Sequence, residues 1–264
     1  MAYTTVQTRH EGEIGWITFN RPEIHNAFNS TVITELSAAF SEMENDSHIR
    51  VVILTGAGKS FCAGADLNWM RSVVTQSFDE NLAESLALAD LFWQIYTFKR
   101  PVIARVNGAA IGGGTGFVAV CDIAIAAKSA VFSFSEVKIG VVPACIGPYV
   151  VKKMGEGKAR ELFITGERMD ASRAQTVGLL NKVVEDGILD AEVDKLIHSL
   201  LTSGPEAVAM AKRLVAGVGD MTPEEFRPWT AEMIAKLRVS AEGQEGMDAI
   251  LNKRTPGWVK KRSV

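Results

Sequence analysis

The order of elements along the chain constrains the fold more than any single motif does. Residues 51 to 55 (VVILT) form an uninterrupted apolar run that is typical of a buried strand, and residues 14 to 19 (IGWITF) and 102 to 106 (VIARV) also predict strands. Apolar residues recur at helical spacing at 31 to 44 and at 79 to 98. Because strands and helices alternate, the sequence predicts an α/β core with largely buried sheets.

The pattern changes after about residue 200. Three helical patterns follow one another at 205 to 218, 222 to 239 and 241 to 252, and no strand pattern lies between them. We therefore expect two parts, a core at residues 1 to 200 and a helical region at residues 201 to 264.

Composition and charge exclude several classes of protein. The 264 residues carry a formal net charge of -3, which gives no overall field to attract nucleic acid. No window approaches the roughly 18 apolar residues of a membrane span, and the first residues lack the apolar segment of a signal peptide. The three cysteines, Cys62, Cys121 and Cys145, match no CxxC metal pattern. We expect a soluble cytoplasmic protein with reduced thiols and no membrane or nucleic-acid partner.

Two glycine-containing turns can each present a backbone N–H group to a ligand. The first is SFCAGADLNWM at residues 60 to 70 and the second is NGAAIGGGTGFVAVCD at residues 107 to 122, and each follows a predicted strand. The glycines of the second turn precede an apolar run that suits a buried helix, whose N-terminus would favour a developing anion. Nucleotide binding is a poor fit, because G-x-G-x-x-G and the P-loop lysine are missing. Glycine turns also serve packing alone.

Glu136 lies in AVFSFSEVKIG, at the end of an apolar strand about twenty residues beyond the second turn. Burial raises the pKa of a carboxyl group toward neutrality, so a glutamate in such a place is suited to act as a general base. Taken alone, a glutamate there is more often a solvated strand end. Ser133 and Ser135 flank it without an evident histidine base, which excludes a Ser-His-Asp hydrolase.

Two glycine turns followed by a glutamate resemble the signature of the crotonase (enoyl-CoA hydratase/isomerase) superfamily, and the similarity spans nearly the whole chain. NRPEIHNAFNS at 20 to 30 resembles its CoA-binding loop, SFCAGADL at 60 to 67 and NGAAIGGG at 107 to 114 its two oxyanion turns, and FSEVKIGVVP at 134 to 143 its catalytic strand. The resemblance implies a crotonase-type spiral of repeated ββα units with a helical C-terminal trimerisation region. It also implies an acyl-CoA thioester substrate, no metal or redox cofactor, and a homotrimer or a dimer of trimers.

The resemblance also assigns roles to individual residues. It places the oxyanion hole at the backbone N–H groups of Ala65 and Gly113, and the acid/base chemistry at Glu136. It implies that residues of the loops hold the CoA moiety and that an aromatic side chain covers its adenine. The implied CoA-binding residues are Ala27, Ala63, Ala65, Asp66 and Trp258.

Gly116 departs from the pattern of two-glutamate hydratases, which carry a second carboxylate two residues beyond the glycine triplet. A general acid/base group contributes typically about 10²- to 10⁴-fold to a rate. Water or another residue must therefore substitute, or the reaction needs only one carboxylate. On the geometry implied by the resemblance, we expect Gly116→Glu to restore the second group without disturbing the oxyanion donors.

Three functions compete. ADLNWM at 65 to 70 and RVSAEGQEGMDAILNKRTPGW at 238 to 258 resemble bacterial 3-methylglutaconyl-CoA and carboxygeranoyl-CoA hydratases, which favours hydration of a branched 2-enoyl-CoA. A distal carboxylate on that substrate could pair with Arg71 or Lys138, although surface positions are the more common fate of such residues. Single-glutamate relatives also include Δ3,Δ2-enoyl-CoA isomerases. A non-catalytic RNA- or partner-binding protein is the third possibility, disfavoured by the absence of a basic and aromatic stripe.

Overall fold

The computed structural model of the protein describes residues 3 to 260 and contains two β-sheets flanked by helices. The strands are β1 (Val6–Glu11), β2 (Ile14–Phe19), β3 (Val51–Gly56), β4 (Ser60–Cys62), β5 (Val102–Val106), β6 (Ala109–Ile111), β7 (Ile123–Ala127), β8 (Val131–Ser133), β9 (Arg168–Asp170) and β10 (Lys182–Val184). The α-helices are α1 (Ser30–Asn45), α2 (Leu67–Val73), α3 (Phe78–Tyr96), α4 (Gly113–Val120), α5 (Gly147–Met154), α6 (Glu156–Thr165), α7 (Ala171–Thr176), α8 (Leu189–Leu201), α9 (Pro205–Val218), α10 (Pro223–Val239) and α11 (Ala241–Leu251). Short 3₁₀ segments cover Pro22–Ile24, Glu136–Ile139 and Asp186–Ile188.

The strand pairs β3/β4, β5/β6 and β7/β8 build a spiral. The larger sheet has the order β1-β2-β3-β5-β7-β10, and the smaller sheet has the order β4-β6-β8-β9. Each pair therefore places one strand in each sheet, and the neighbours β3, β5 and β7, like β4, β6 and β8, run parallel. Helical segments follow each pair. This arrangement confirms the α/β core that the sequence predicts and the spiral of ββα units that the resemblance implies.

The core includes a strand without an exposed residue and a helix that is almost wholly buried. Strand β3 is buried at all six positions, as its uninterrupted apolar run predicts. Helix α4 is buried from its second residue to its last. The rings of Phe19, Phe28 and Phe92 lie 5.2, 5.7 and 4.8 Å from the ring of Phe117 on this helix. Aromatic packing thus fixes α4 within the core.

The described chain forms two compact units. The first runs to Val193 without Lys99–Pro101, and the second combines Lys99–Pro101 with the chain from Asp194 onward. The division falls within α8, near the boundary expected at residue 200. The assignment of catalysis to one unit and of assembly to the other stays a prediction. No helix within the described residues is both long and apolar enough to cross a membrane.

Helices α9, α10 and α11 make up most of the second unit, which has its own stabilising contacts. The Glu242 carboxylate accepts hydrogen bonds from the N–H groups of Glu206 and Ala207, each at 2.8 Å, in the first turn of α9. The Trp258 indole Nε1 donates to the Thr202 carbonyl oxygen at 3.1 Å. The C-terminal segment is therefore held against its own unit.

Candidate active site

Three segments that the sequence singles out follow parallel neighbours of the smaller sheet. Strand β6 pairs with β4 on one side and with β8 on the other. The carboxyl ends of parallel strands meet at the same edge of a sheet, where α/β proteins commonly bind ligands. The turn at 63 to 66, the turn at 112 to 114 and the segment at 134 to 136 therefore lie together at that edge.

The two glycine turns approach each other so closely that glycine is required. A methyl group on Gly64 would lie 2.8 Å from the Ile111 carbonyl oxygen, and one on Gly114 would lie 2.1 Å from the Cys62 carbonyl oxygen. No side chain fits at either position. Backbone therefore packs directly on backbone where the two turns meet.

Ala65 and Gly113 present free N–H groups at this meeting point. Ala65 lies just before Asp66, which caps α2, and Gly113 is the first residue of α4. Within residues 3 to 260, neither amide donates a hydrogen bond to another residue. The Thr115 hydroxyl steadies the second turn, because it donates to the Ala110 carbonyl oxygen at 2.6 Å and its oxygen also lies 2.9 Å from the Ser133 carbonyl oxygen. Both amides are available to an oxygen atom of a ligand.

Glu136 does not lie at the end of a strand, contrary to the sequence-based expectation for residues 134 to 143. Strand β8 ends at Ser133, and Glu136 begins the 3₁₀ segment that follows. The reason is local, because Lys138 N–H donates to the Ser135 carbonyl at 2.9 Å and turns the chain out of the sheet. This turn places the glutamate beyond the strand end, beside the second glycine turn.

The Glu136 carboxylate faces Gly112 directly. A methyl group on Gly112 would lie 3.2 Å from Glu136 Oε1, and this glycine also has a φ of 54°, a conformation that glycine adopts readily. Glu136 Oε2 is buried and has no hydrogen-bond partner within the described chain. Burial raises the pKa of Glu136 above its usual value, against the opposing effect of a hydrogen bond from its own backbone. The carboxylate is thus a base that no neighbouring side chain neutralises.

Gly116, the position at which the resemblance places the second carboxylate of two-glutamate hydratases, has no room for a side chain. A methyl group there would lie 2.2 Å from Ile146 Cγ2 and 3.3 Å from Phe92 Cζ. Ile146 is itself 2 % exposed and cannot move into solvent without opening the core. The expectation that Gly116→Glu would simply restore a second acid/base group is therefore wrong. Packed apolar atoms fill the space beside Gly116 that a carboxylate would need.

A groove of about 710 Å³ adjoins the first turn, within the size range of ligand pockets. Four of the five residues that resemblance assigns to CoA binding line it: Ala27, Ala63, Ala65 and Asp66. Their backbone is tied together, because Phe28 N–H donates to the Gly64 carbonyl and Asp66 N–H donates to the Phe28 carbonyl, each at 2.8 Å. Trp258 belongs to the second unit, and its contact with CoA stays a prediction.

An unusual loop conformation forms one wall of the groove. His25 and Asn26 both have positive φ, 55° and 58°, which is uncommon for residues other than glycine. The Asn26 side-chain amide stabilises this turn by donating to the carbonyl oxygens of Ala57 at 2.8 Å and Ser60 at 2.7 Å. Asn26 thereby fixes the loop at 26 to 28 to the first residue of β4 and to the loop before it.

Arg21 and Asp66 form an ion pair in the groove. Arg21 contacts Asp66 Oδ2 at 2.7 Å and donates to the Ala27 carbonyl oxygen at 2.7 Å. Burial opposes ionisation of Asp66, but hydrogen bonds from the Asn68 N–H and from Arg21 outweigh it, so its pKa lies below the usual value. Arg71 donates to the Asn68 side-chain oxygen at 3.1 Å. The groove therefore contains the cationic side chains of Arg21 and Arg71 near the ionised carboxylate of Asp66.

Sequence analysis gives no role in the site to the groove residues Arg21, His25 and Asn68. Arg71 also lines the groove, and the sequence names it only as a candidate partner for a distal carboxylate. The only available signal is that each lies within or next to one of the two loops, a weak signal because loop residues are polar in most proteins. The cysteines do not join the site as nucleophiles, since burial raises the pKa of the Cys62 thiol to about 12.

Known proteins share both this fold and this sequence pattern. Residues 9 to 261 match the model of the enoyl-CoA hydratase/isomerase family. The chain is 32% identical to a short-chain-enoyl-CoA hydratase of Clostridium acetobutylicum over 99% of this chain and 100% of that protein. It is 33% identical to a crotonyl-CoA hydratase of Syntrophomonas wolfei, again over 99% and 100%.

A solved enoyl-CoA hydratase from Shewanella pealeana superposes with a TM-score of 0.94 at 37% identity, over 97% of this chain and 96% of that one. The two proteins therefore share the same fold over nearly their whole length, in addition to their similarity in sequence. Together with the family model that spans nearly all of the sequence, this similarity shows that this chain is an enzyme of the enoyl-CoA hydratase/isomerase family, the crotonase superfamily.

Proposed function

We propose that the protein adds water to the double bond of a 2-enoyl-CoA thioester, as a hydro-lyase with Glu136 as its single acid/base residue. The observation that carries this proposal is the carboxylate of Glu136 beside the second glycine turn, whose Oε2 atom is buried and has no hydrogen-bond partner within the described chain. Two relatives that match over their full length are named hydratases, which supports hydration in particular.

The proposed reaction divides between backbone and side chain. The N–H groups of Ala65 and Gly113 bind the thioester carbonyl oxygen and stabilise the negative charge that develops on it. Glu136 removes a proton from water as the water oxygen bonds to C3, and the electrons of the double bond pass to the carbonyl as an enolate. Glu136 then returns the proton to C2. The carboxylate is regenerated, and no metal or redox cofactor takes part.

The packing of Ile146 against Gly116 argues for chemistry with one carboxylate. One carboxylate also suffices for a Δ3,Δ2-enoyl-CoA isomerase, in which Glu136 would remove a proton from C2 and return it to C4 without water. This observation therefore keeps isomerisation as the second candidate. The named relatives favour hydration.

A branched acyl group is the finer part of the proposal, and it rests on the resemblance of ADLNWM at 65 to 70 to branched-chain hydratases. Arg71 lines the groove, whereas Lys138 is exposed in the 3₁₀ segment that starts at Glu136. Of these two candidate partners for a distal carboxylate, Lys138 is nearer to the base along the chain. We propose that Ala27, Ala63 and Asp66 hold the CoA moiety, with Trp258 as its adenine cover.

Assembly into a trimer or a dimer of trimers is proposed for the second unit. Its helices leave large apolar side chains in contact with water. Val215, Val239, Ile250 and Leu251 are 77%, 79%, 78% and 81% exposed. Apolar patches of this kind on a folded unit commonly mark protein–protein interfaces.

A panel of 2-enoyl- and 3-enoyl-CoA thioesters, analysed by mass spectrometry, tests the proposed function. Hydration adds the mass of one water molecule, whereas isomerisation leaves the mass unchanged. We expect a water adduct from a 2-enoyl-CoA, and none with Glu136→Gln. A parent protein that acts only on 3-enoyl-CoA would establish the isomerase instead.

A further inference from the structure

The C-terminal end of α4 is buried and needs hydrogen-bond donors. The last four carbonyl groups of an α-helix have no partner within the helix. Cys121, which follows α4 directly, is 2 % exposed and has an extended backbone rather than a left-handed cap. Its thiol donates to the Phe117 carbonyl oxygen at 3.1 Å. The carbonyl oxygen of Cys121 accepts a hydrogen bond from a side chain of another element.

Lys153 on α5 is that donor. Its Nζ atom lies 2.6 Å from the Cys121 carbonyl oxygen, a short hydrogen bond assisted by charge. Burial lowers the pKa of Lys153 below its usual value, and the neighbouring Cys121 and Asp122 only partly oppose this effect. The carbonyl end of a helix carries a partial negative charge, so a cation is favoured there.

We infer that Lys153 is a positioning residue for the reaction. It holds the C-terminal end of α4 through its hydrogen bond and places a positive charge beside the partial negative charge of that end. As a result, the N–H group of Gly113 at the N-terminal end of α4 binds the thioester oxygen more strongly. The inference rests on the proposed oxyanion role of Gly113. Helix α4 has 8 residues, which gives a length of about 12 Å. Over that distance, at an effective dielectric constant of about 20, a unit charge changes the stability of a developing anion by roughly 10-fold.

Two substitutions of Lys153 separate its charge from its hydrogen bond. Lys153→Met removes both, whereas Lys153→Gln keeps a donor for the Cys121 carbonyl and protects folding. Lys152→Met removes a charge from the exposed neighbour on the same helix and is the matched control. Each protein is assayed for kcat and KM, and for the infrared carbonyl stretch of bound butyryl-CoA with a carbon-13-labelled thioester. This saturated ligand cannot be hydrated.

We expect binding to the parent protein to lower the carbonyl stretching frequency, because the oxyanion donors polarise the C=O bond. Both Lys153 variants should show a smaller shift and a kcat lower by roughly 3- to 10-fold with KM nearly unchanged, whereas Lys152→Met should match the parent. An undiminished shift in folded Lys153→Gln would overturn the role of Lys153 and leave the oxyanion site intact. A parent protein without any shift would instead overturn the oxyanion site itself.

Discussion

Replacement of Gly116 by glutamate tests whether Ile146 has taken the space of a second carboxylate. A methyl group at Gly116 would already lie 2.2 Å from Ile146 Cγ2, far inside van der Waals contact. Overpacking of a core costs about 1 to 3 kcal/mol, and a buried carboxylate without a partner adds at least a few more. We expect Gly116→Glu to lose about 4 kcal/mol of unfolding free energy, which corresponds to a Tm lower by roughly 8 to 16 °C.

Ile146→Ala provides the matched partner for a double-mutant cycle. Alone it should cost about 2 to 5 kcal/mol, because it leaves a cavity. In combination with Gly116→Glu it removes the clash, so the double variant should be more stable than the sum of the single effects by about 0.5 to 3 kcal/mol. Urea unfolding of the parent protein and the three variants gives these values. The double variant should also hydrate crotonyl-CoA faster than Ile146→Ala does.

Two outcomes would show that this reasoning is wrong. One is that Gly116→Glu unfolds at the same urea concentration as the parent protein, and the other is that the effects of the two substitutions add without any coupling. Either result would mean that Ile146 does not occupy the space beside Gly116. A stable Gly116→Glu protein with enhanced hydration would further show that a second carboxylate fits without any rearrangement.

Four further results are expected. Gly113→Pro removes an oxyanion donor and should cost roughly 2.7 to 4 kcal/mol of transition-state stabilisation; a folded variant with normal kcat would exclude the second turn as the oxyanion site. Because the pKa of Glu136 is raised by burial and the base must be ionised, kcat/KM should fall with decreasing pH at values above those of an ordinary glutamate. The ionised form is the disfavoured one in the folded state, so Glu136→Gln should raise the Tm at neutral pH and not at low pH; an unchanged Tm at both would contradict the burial effect. Light scattering at micromolar concentration should show a trimer or hexamer, and a monomer would rule out the proposed assembly.

The regular elements of the fold are largely predictable from the sequence. The expected bounds of β2, β5 and α9 match those of the structure, because each is an apolar or periodic segment bounded by turn or helix-start residues. Strands β4 and β6 escape sequence analysis, since each has only three residues within a glycine turn and shows no periodicity. Yet these two strands bring the glycine turns together.

The chemical type of the site is more predictable than its packing. The local sequence of the two turns and of Glu136 indicates backbone donors and a buried base, but not that Glu136 starts a 3₁₀ segment. Ile146 fills the space beside Gly116 although the two residues are thirty positions apart in the sequence, and no local sequence pattern indicates such a contact. The polar residues of the groove are likewise defined by how two distant loops meet.

The most direct test is to incubate the parent protein and Glu136→Gln with branched and unbranched 2-enoyl-CoA thioesters and to measure both product mass and CoA-thioester affinity. Glutamine retains the size and the hydrogen-bonding capacity of the side chain but cannot act as a base at neutral pH. We expect the parent protein to form a water adduct, and the variant to bind the thioester with similar affinity while its turnover falls by about 10²- to 10⁴-fold. Undiminished hydration by Glu136→Gln would contradict the central assignment, because the protein would then have a different catalytic base.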